Sequence, residues 1–420
     1  MVNIGINGVI LRVKNNNLGD AWNLPVLGRT LEEWVAGTLN VPCQTIEAST
    51  VINIAEKLKT LLDRTKPITV VLYCDTPLVV AKTIETAIKH LTAQNLDAVK
   101  LPRGCVYKTE YLYAADTLFP QEPTGSGEFE AVTDCESLSR ITDTLRRRIL
   151  NFHAGNGVLI TDYKNVYIDS DVVIERGAAI EPYNFIKGKT VIKADAHIMP
   201  NNYIENCIIG GGARVDSSRL YASIVGEGTR VGPFAYIRPN TVIGKDCRIG
   251  DFVELKSCVI GDGCKVSHLT YIGDAELGAE CNVGCGVVFA NYDGKNKYKS
   301  IVGNRVFIGS NSNIIAPVHV ADHAFIAAGS TITDEVPAEA LAIARSRQTN
   351  IPHWAGNMYA PPVGNDNPSP YRLIQDDEGI IDGAASETEN TGETETNAAN
   401  NTDADGSGDN NGDNNGEQPK

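Results

Sequence analysis

Isoleucine, valine or leucine returns at every sixth position through much of the second half of the chain. One run is Ile168, Ile174, Ile180, Ile186, Ile192, Ile198 and Ile204; others lead from Val231 to Ile249, from Ile260 to Ile272 and from Val302 to Ile332. A period of six matches neither the 3.6-residue repeat of an amphipathic helix nor the two-residue alternation of a half-buried strand. It matches a parallel β-helix of hexapeptides, each one short strand and one corner, with the aliphatic side chain inside the prism. Small neighbours, as in Ile243-Gly244 and Ile260-Gly261, let the chain turn at the corners. Three hexapeptides predict a triangular coil of roughly 18 residues, with coils stacked about 4.8 Å apart. The pattern places this solenoid from about Val166 to Thr333, within a domain of residues 156–357.

Residues 1–155 have another texture. Strand-like runs (Gly8 to Leu11, Ile68 to Tyr73) alternate with helix-like ones (Leu31 to Thr38, Val79 to Ala93), which predicts a small α/β layer domain. Met1 to Val13 reads as a first strand and not as a signal peptide, having no basic leader and no small-residue cleavage site. Arg140 to Phe152 reads as a basic amphipathic linker helix with Arg146, Arg147 and Arg148 on its solvent side. The solenoid pattern has one large interruption, Val287 to Ser300, whose polar segment Asn291 to Lys297 must bulge from the prism. The last 63 positions, residues 358–420, turn to Asn, Asp, Gly, Glu and Thr, a composition that predicts a disordered tail.

Charge changes the picture only once it is divided. The chain carries −15, but residues 375–420 hold 13 acids and one lysine, which leaves −3 on residues 1–374. The body therefore has no basic field for nucleic acid. No run of 18 apolar residues predicts a membrane span. The ten cysteines form no CxxC pair. Cys247, Cys264 and Cys281 each fall four positions after a repeat aliphatic, a small-residue slot, so buried free thiols are expected, in keeping with a reducing cytoplasm.

Spacing converts into geometry on a solenoid. Arg238 and Lys256 each follow a repeat aliphatic and lie 18 residues apart, so they stand on adjacent coils, roughly 5 Å apart at the backbone. Stacked cations repel unless an anion sits between them, and phosphate is a natural candidate; two splayed surface charges are the alternative. His268 follows twelve residues later. A neutral imidazole can take a proton from an amine, although a lone histidine is more often structural.

Residues 226–354 resemble the acetyltransferase half of the bacterial bifunctional family of glucosamine-1-phosphate N-acetyltransferases and N-acetylglucosamine-1-phosphate uridyltransferases. The segments that carry the likeness are Val231 to Pro239, Gly250 to Lys256, His268 to Asp274, Asn282 to Gly284, Asn291 to Gly294, Phe307 to Ser310, Ala327 to Gly329 and Ala342 to Arg345. The resemblance implies a left-handed parallel β-helix acting as a homotrimer, with acetyl-CoA and an amino-sugar phosphate as substrates and no metal needed for acetyl transfer. It implies His268 as general base, Arg238 and Lys256 as the phosphate-binding pair, and Tyr271, Asn282 and Lys297 as further sugar or phosphate contacts. For acetyl-CoA it implies Cys285, Asn291, Tyr292, Ser310, Ala328 and Arg345; family members usually carry Ala at the Cys285 position.

The first 155 residues resemble the family's nucleotidyltransferase domain more weakly. Leu72 to Leu78 is similar to the metal-binding strand end, with Asp75 at the magnesium position; Leu24 to Trp34 and Val132 to Asp134 also match. The glycine-rich nucleotide loop is replaced by Gly5-Ile-Asn-Gly8 and Asn15 to Asn17, and Thr133 stands where the second metal ligand would be. A reduced, degenerate domain without uridyltransferase activity is expected. Three other readings compete: transfer to a different amino-sugar phosphate, an inactive scaffold or regulatory relative, and a zinc hydratase suggested by His319 and His323.

Overall fold

The computed structural model describes residues 5–14, 17–47, 54–114 and 125–357. The expected disordered tail and part of the Asn15 to Asn17 stretch lie outside them.

A left-handed parallel β-helix of about ten coils dominates the chain. Its strands begin at Leu159–Ile160 and end at Leu341–Ala342, so coils precede and follow the span of the hexad pattern. Nine strands build one face, and a nineteen-stranded sheet wraps the other two. The repeat aliphatics point inward as expected: Ile168, Ile180, Ile186, Ile192, Ile198 and Ile204 are all fully buried. At about 1.5–3 kcal/mol for each buried aliphatic side chain, this column is the main source of the fold's stability.

The pattern breaks after Ile204, yet the solenoid does not. Ile209, Val215, Leu220 and Val225 continue the buried column, with several steps of five residues instead of six. Coil length follows: Val173 faces Val191 (18 on), Val191 faces Ile208 (17 on), and Ile208 faces Ile224 (16 on). A five-residue repeat tightens one corner and leaves the strand ladder intact. The expected bulge is present: the chain leaves the prism after Val288–Ala290 and returns at Ser300–Val302. Cys247, Cys264 and Cys281 fill interior slots, and all ten cysteines are unpaired. Burial pushes the nearby Cys258 thiol up to about 12.

The N-terminal region is a five-stranded sheet in the order Cys43–Glu47, Ile6–Arg12, Ile68–Tyr73, Gly104–Lys108, Ala98–Leu101. Its first three strands are parallel, and a hairpin adds the last two antiparallel. The linker helix is Cys135–Gly155, started by a capping box of Asp134 and Ser137. Here one expectation is corrected. Of the three arginines placed on the solvent side, only Arg147 is exposed. Arg146 is buried, donating to the Tyr163 carbonyl at the base of the solenoid and pairing with Asp143, while Arg148 donates to the Leu78 carbonyl at 2.7 Å. The helix is thus wedged between sheet and solenoid, and its cations satisfy carbonyls that packing would otherwise strand. Arg29 adds an ion pair to Asp171 at 2.6 Å across the same junction.

Replacing buried Ile198 with Ala should cost about 2–5 kcal/mol through the cavity it leaves. The same change at Val173, which is 53% exposed on the outer face, should cost under about 1 kcal/mol. Urea midpoints decide this, and equal losses at both positions would contradict the assigned core.

Candidate functional site

Two strands stand apart from the rest. Arg248–Lys256 and Lys265–Gly273 each run nine residues, whereas the other solenoid strands have two to four. They pair in parallel and carry one register around a corner: Asp251 faces His268, Glu254 faces Tyr271, and Lys256 faces Gly273. Just past the corner, Phe252 and Leu269 take positive φ of 55° and 36°, a left-handed conformation that bulky residues rarely adopt. That turn leaves Asp251 and His268 side by side on the corner's outer edge.

His268 Nδ1 lies 2.7 Å from Asp251 Oδ1. An ionised carboxylate only accepts, so Nδ1 carries a proton, and in the neutral imidazole the lone pair is on Nε2. The His268 hydrogen bond holds the Asp251 carboxyl below the usual carboxylate range. The Thr270 hydroxyl, donating to the His268 carbonyl at 2.7 Å, ties down the backbone. Asp251 was not among the residues singled out from sequence. The 17-residue spacing of Cys247, Cys264 and Cys281 carried the signal, because the same step leads from Asp251 to His268.

The opposite end of the same strands gathers cations. Arg238 continues the register in which Ile237 faces Leu255, so it stacks beneath Lys256 as the spacing implied. Glu254 holds Arg238 at 2.8 Å, and Asp274 stands 4.0 Å from Lys256. The loop brings Lys297 back onto Lys256. The Lys297 ammonium foremost, with partial burial and Arg238 behind it, lowers the Lys256 pKa against the pull of Asp274. Three cations therefore converge with incomplete neutralisation, a demand for an anion.

The remaining sequence-derived residues fall into place around these ends. Cys285, Ser310 and Ala328 occupy the His268 corner on the three coils above it: Gly286 donates to Leu269, Asn311 to Cys285 and Gly329 to Ser310, each at 2.8–2.9 Å. All three are exposed, as is Arg345 one coil further. Tyr271 is half-buried on the face between the two ends, and Asn282 stands in register with Lys265 on the neighbouring face. Asn291 is buried and donates to Asp274, so it belongs to the cation end, where exposed Tyr292 opens the loop. His319 Nδ1 is 3.3 Å from Glu335, and no third metal ligand joins it and His323 among the described residues.

Residues 221–308 match the family described as GMPPB C-terminal domain, and residues 299–334 match the bacterial transferase hexapeptide (six repeats). A 217-residue stretch is 52% identical to the bifunctional protein GlmU of Clostridium kluyveri, covering 52% of this chain and 48% of that protein. The GlmU protein of Clostridium botulinum is 53% identical over 227 residues, 54% of this chain and 50% of its own length. Over that span the chain is similar to bifunctional GlmU. The resemblance read from the motifs stands, and the chain spans about half the length of the curated relatives it matches. Among solved structures, LpxA of Bacteroides fragilis, a UDP-N-acetylglucosamine acyltransferase, aligns at 16% identity with a TM-score of 0.29, over 42% of this chain and 69% of that one. No helix among the described residues is long and apolar enough to cross a membrane.

The lowered Lys256 pKa predicts how the cation end responds to pH. Sulfate, whose charge is constant, should bind more weakly as pH rises and Lys256 deprotonates, at a pH below the usual lysine range. Lys256→Met should cost about 10–100-fold in sulfate affinity, the worth of a hydrogen bond to a charged group. Calorimetric titration from pH 6 to 10 checks both; affinity insensitive to pH and to the substitution would refute the cluster.

Proposed function

We propose that the chain is an acetyl-CoA-dependent N-acetyltransferase that converts glucosamine-1-phosphate to N-acetylglucosamine-1-phosphate. The observation that carries this reading is the pair of long strands, with an oriented imidazole at one end and under-neutralised cations at the other. Arg238, Lys256 and Lys297 hold the phosphate, while Tyr271 and Asn282 flank the sugar. His268 Nε2 takes a proton from the amine as its nitrogen attacks the thioester carbon. A C–N bond forms, the C–S bond breaks, and coenzyme A leaves as the thiolate, which then picks up a proton. Asp251 stabilises the imidazolium formed in that step. The corner column of Cys285, Ser310 and Ala328, with Arg345 beyond it, lines the approach of the acyl donor. Another amino-sugar phosphate as acceptor is the second reading, since the cations specify phosphate more tightly than they specify the ring.

An assembled enzyme is part of the same proposal. Val173, Ile208, Ile224, Val242 and Val259 line the nine-stranded face with exposed aliphatic side chains, and Ile301 resumes the line beyond Glu276. A flat apolar strip of this kind favours burial against further copies in a homotrimer. Ten unpaired cysteines suit a reducing, cytoplasmic setting.

Uridyl transfer is not part of the proposal. Asp75, at the family's magnesium position, is gripped by Arg103 through two hydrogen bonds of 2.9 and 2.7 Å, and the guanidinium lies 4.4 Å over the Tyr73 ring. Val132 donates to the Asp75 carbonyl, which brings Thr133 close by, but the Thr133 hydroxyl faces Asp134. A buried carboxylate already neutralised by arginine is a poor seat for a second cation, so these residues do not fit the metal.

Thiol release from acetyl-CoA with glucosamine-1-phosphate should fall about 10²–10⁴-fold in His268→Ala. Asp251→Asn should lose about tenfold or more, since the imidazolium loses its countercharge. An unchanged rate in His268→Ala would sink the assignment. UTP with magnesium and N-acetylglucosamine-1-phosphate should release no pyrophosphate. Asp75→Asn should leave acetyl transfer intact while costing about 3–5 kcal/mol of N-domain stability, because it removes the buried carboxylate charge that faces the Arg103 guanidinium. Metal-dependent pyrophosphate release abolished by that substitution would overturn this part.

A further inference from the structure

Several charged side chains on the solenoid surface are paired across coils. Lys193 meets Glu175 at 2.8 Å, Lys245 meets Glu227 at 3.3 Å, Arg305 meets Glu280 at 2.6 Å, and His197 meets Glu181 at 2.5 Å. Arg214, Arg230, Arg248 and Lys265 instead stack on one another. They occupy one column on four successive coils: Arg214 faces Arg230, Arg230 faces Arg248, and Arg248 faces Lys265. All four are exposed, and none makes an ion pair among the described residues. Two acids close to them in sequence are engaged elsewhere. Asp216 accepts from the Ser217 hydroxyl at 2.9 Å, and Asp262 accepts from the Lys245 amide at 2.7 Å. The column ends below at paired His197 and above at uncharged Asn282.

Like charges directly opposite on neighbouring strands destabilise a sheet. Four of them at strand spacing extend over about 14 Å. The repulsion is relieved by negative groups lodged between successive rungs, and four rungs leave three such gaps. Guanidinium forks match phosphate oxygens bidentately, and long stems let neighbouring heads converge on one group. A ligand that offers several negative groups in a row is a chain of linked phosphates. We infer that Arg214, Arg230, Arg248 and Lys265 form an anion track that binds a linear phosphate chain, free or as part of a nucleotide. The track is separate from the Arg238, Lys256 and Lys297 cluster. It lies at the other end of the two long strands, past the corner that carries Asp251 and His268. It is also independent of the acetyl-transfer reading, because binding alone tests it.

The test titrates the full chain, without divalent metal, with inorganic tripolyphosphate and with UTP at several salt concentrations. Both should bind saturably, with affinity falling steeply as salt rises. The Arg214→Gln/Arg230→Gln double variant should bind tripolyphosphate at least tenfold more weakly and with a shallower salt dependence. Lys256→Met, which weakens the separate Arg238, Lys256 and Lys297 cluster, should still show the saturable, steeply salt-dependent binding that the double variant loses. Equal affinity for the two probes assigns recognition to the phosphates alone, and tighter UTP binding adds a contact to the nucleoside; either result keeps the track. Absence of binding, binding unchanged in the double variant, or binding lost in Lys256→Met would overturn it. So would dissociation of the double variant in sedimentation, which would make the column an interface between copies of the chain.

Discussion

Everything in this molecule that concerns function depends on coils stacking in register. Each coil bonds its strand amides to carbonyls of its neighbours, as Arg238 donates forward to Leu255 and Gly286 back to Leu269, and a buried aliphatic column keeps the stack from sliding. A one-residue slip would turn that whole column out to solvent, so the register is strongly held. Residues 16 to 18 positions apart therefore become permanent neighbours. The site is built from two such columns at the two corners of one face. Asp251, His268, Cys285, Ser310 and Ala328 share the first; Arg238, Lys256, Asp274 and Asn291 share the second.

This regularity explains what could be read from the chain and what could not. The six-residue period is enough to reveal the solenoid, because each repeat obeys the same inside–outside rule. It also suffices for the stacking of Arg238 on Lys256, which are one full 18-residue coil apart. Asp251 under His268 requires knowing that the local coil has 17 residues, a local shortening that the spacing of Ile243, Ile260 and Leu277 and of the cysteines behind them discloses. Lys297 could be assigned a role only by resemblance, since no periodicity says where a bulged loop returns. The burial of Arg146 was hidden for a different reason. A helix of mixed charge looks solvent-facing on its own, and only the junction with the solenoid supplies the carbonyl and carboxylate that make burial tolerable.

The two halves of the chain handle charge in opposite ways. In the N-terminal sheet, Arg103 and Asp75 are both buried, where an unpaired ion would be severely destabilising, and they neutralise each other through a bidentate contact. On the solenoid, Lys256 and its neighbours stay at the surface, where water screens repulsion enough for like charges to stand together. A buried neutral pair stabilises a fold and offers nothing to a ligand. A screened but incomplete cluster costs little in the free protein and strengthens when an anion displaces water from it.

The division of the site between two corners bears on how it selects a substrate. Strand geometry places five residue steps between Asp251 and Lys256, roughly 16 Å of backbone at 3.3 Å per residue. A β-helix face is rigid, so in the proposed reaction the gap is covered by side chains reaching inward from the corners. The cation end has the long stems of Arg238 and Lys256, with Lys297 delivered by the loop. The imidazole end has a short side chain made immobile by Asp251. For the proposed acetyl transfer, a fixed base and adjustable cations are the arrangement expected when proton transfer demands exact placement and phosphate binding does not. A proton transfer loses efficiency over tenths of an ångström, whereas the attraction between phosphate and ammonium declines gradually with distance.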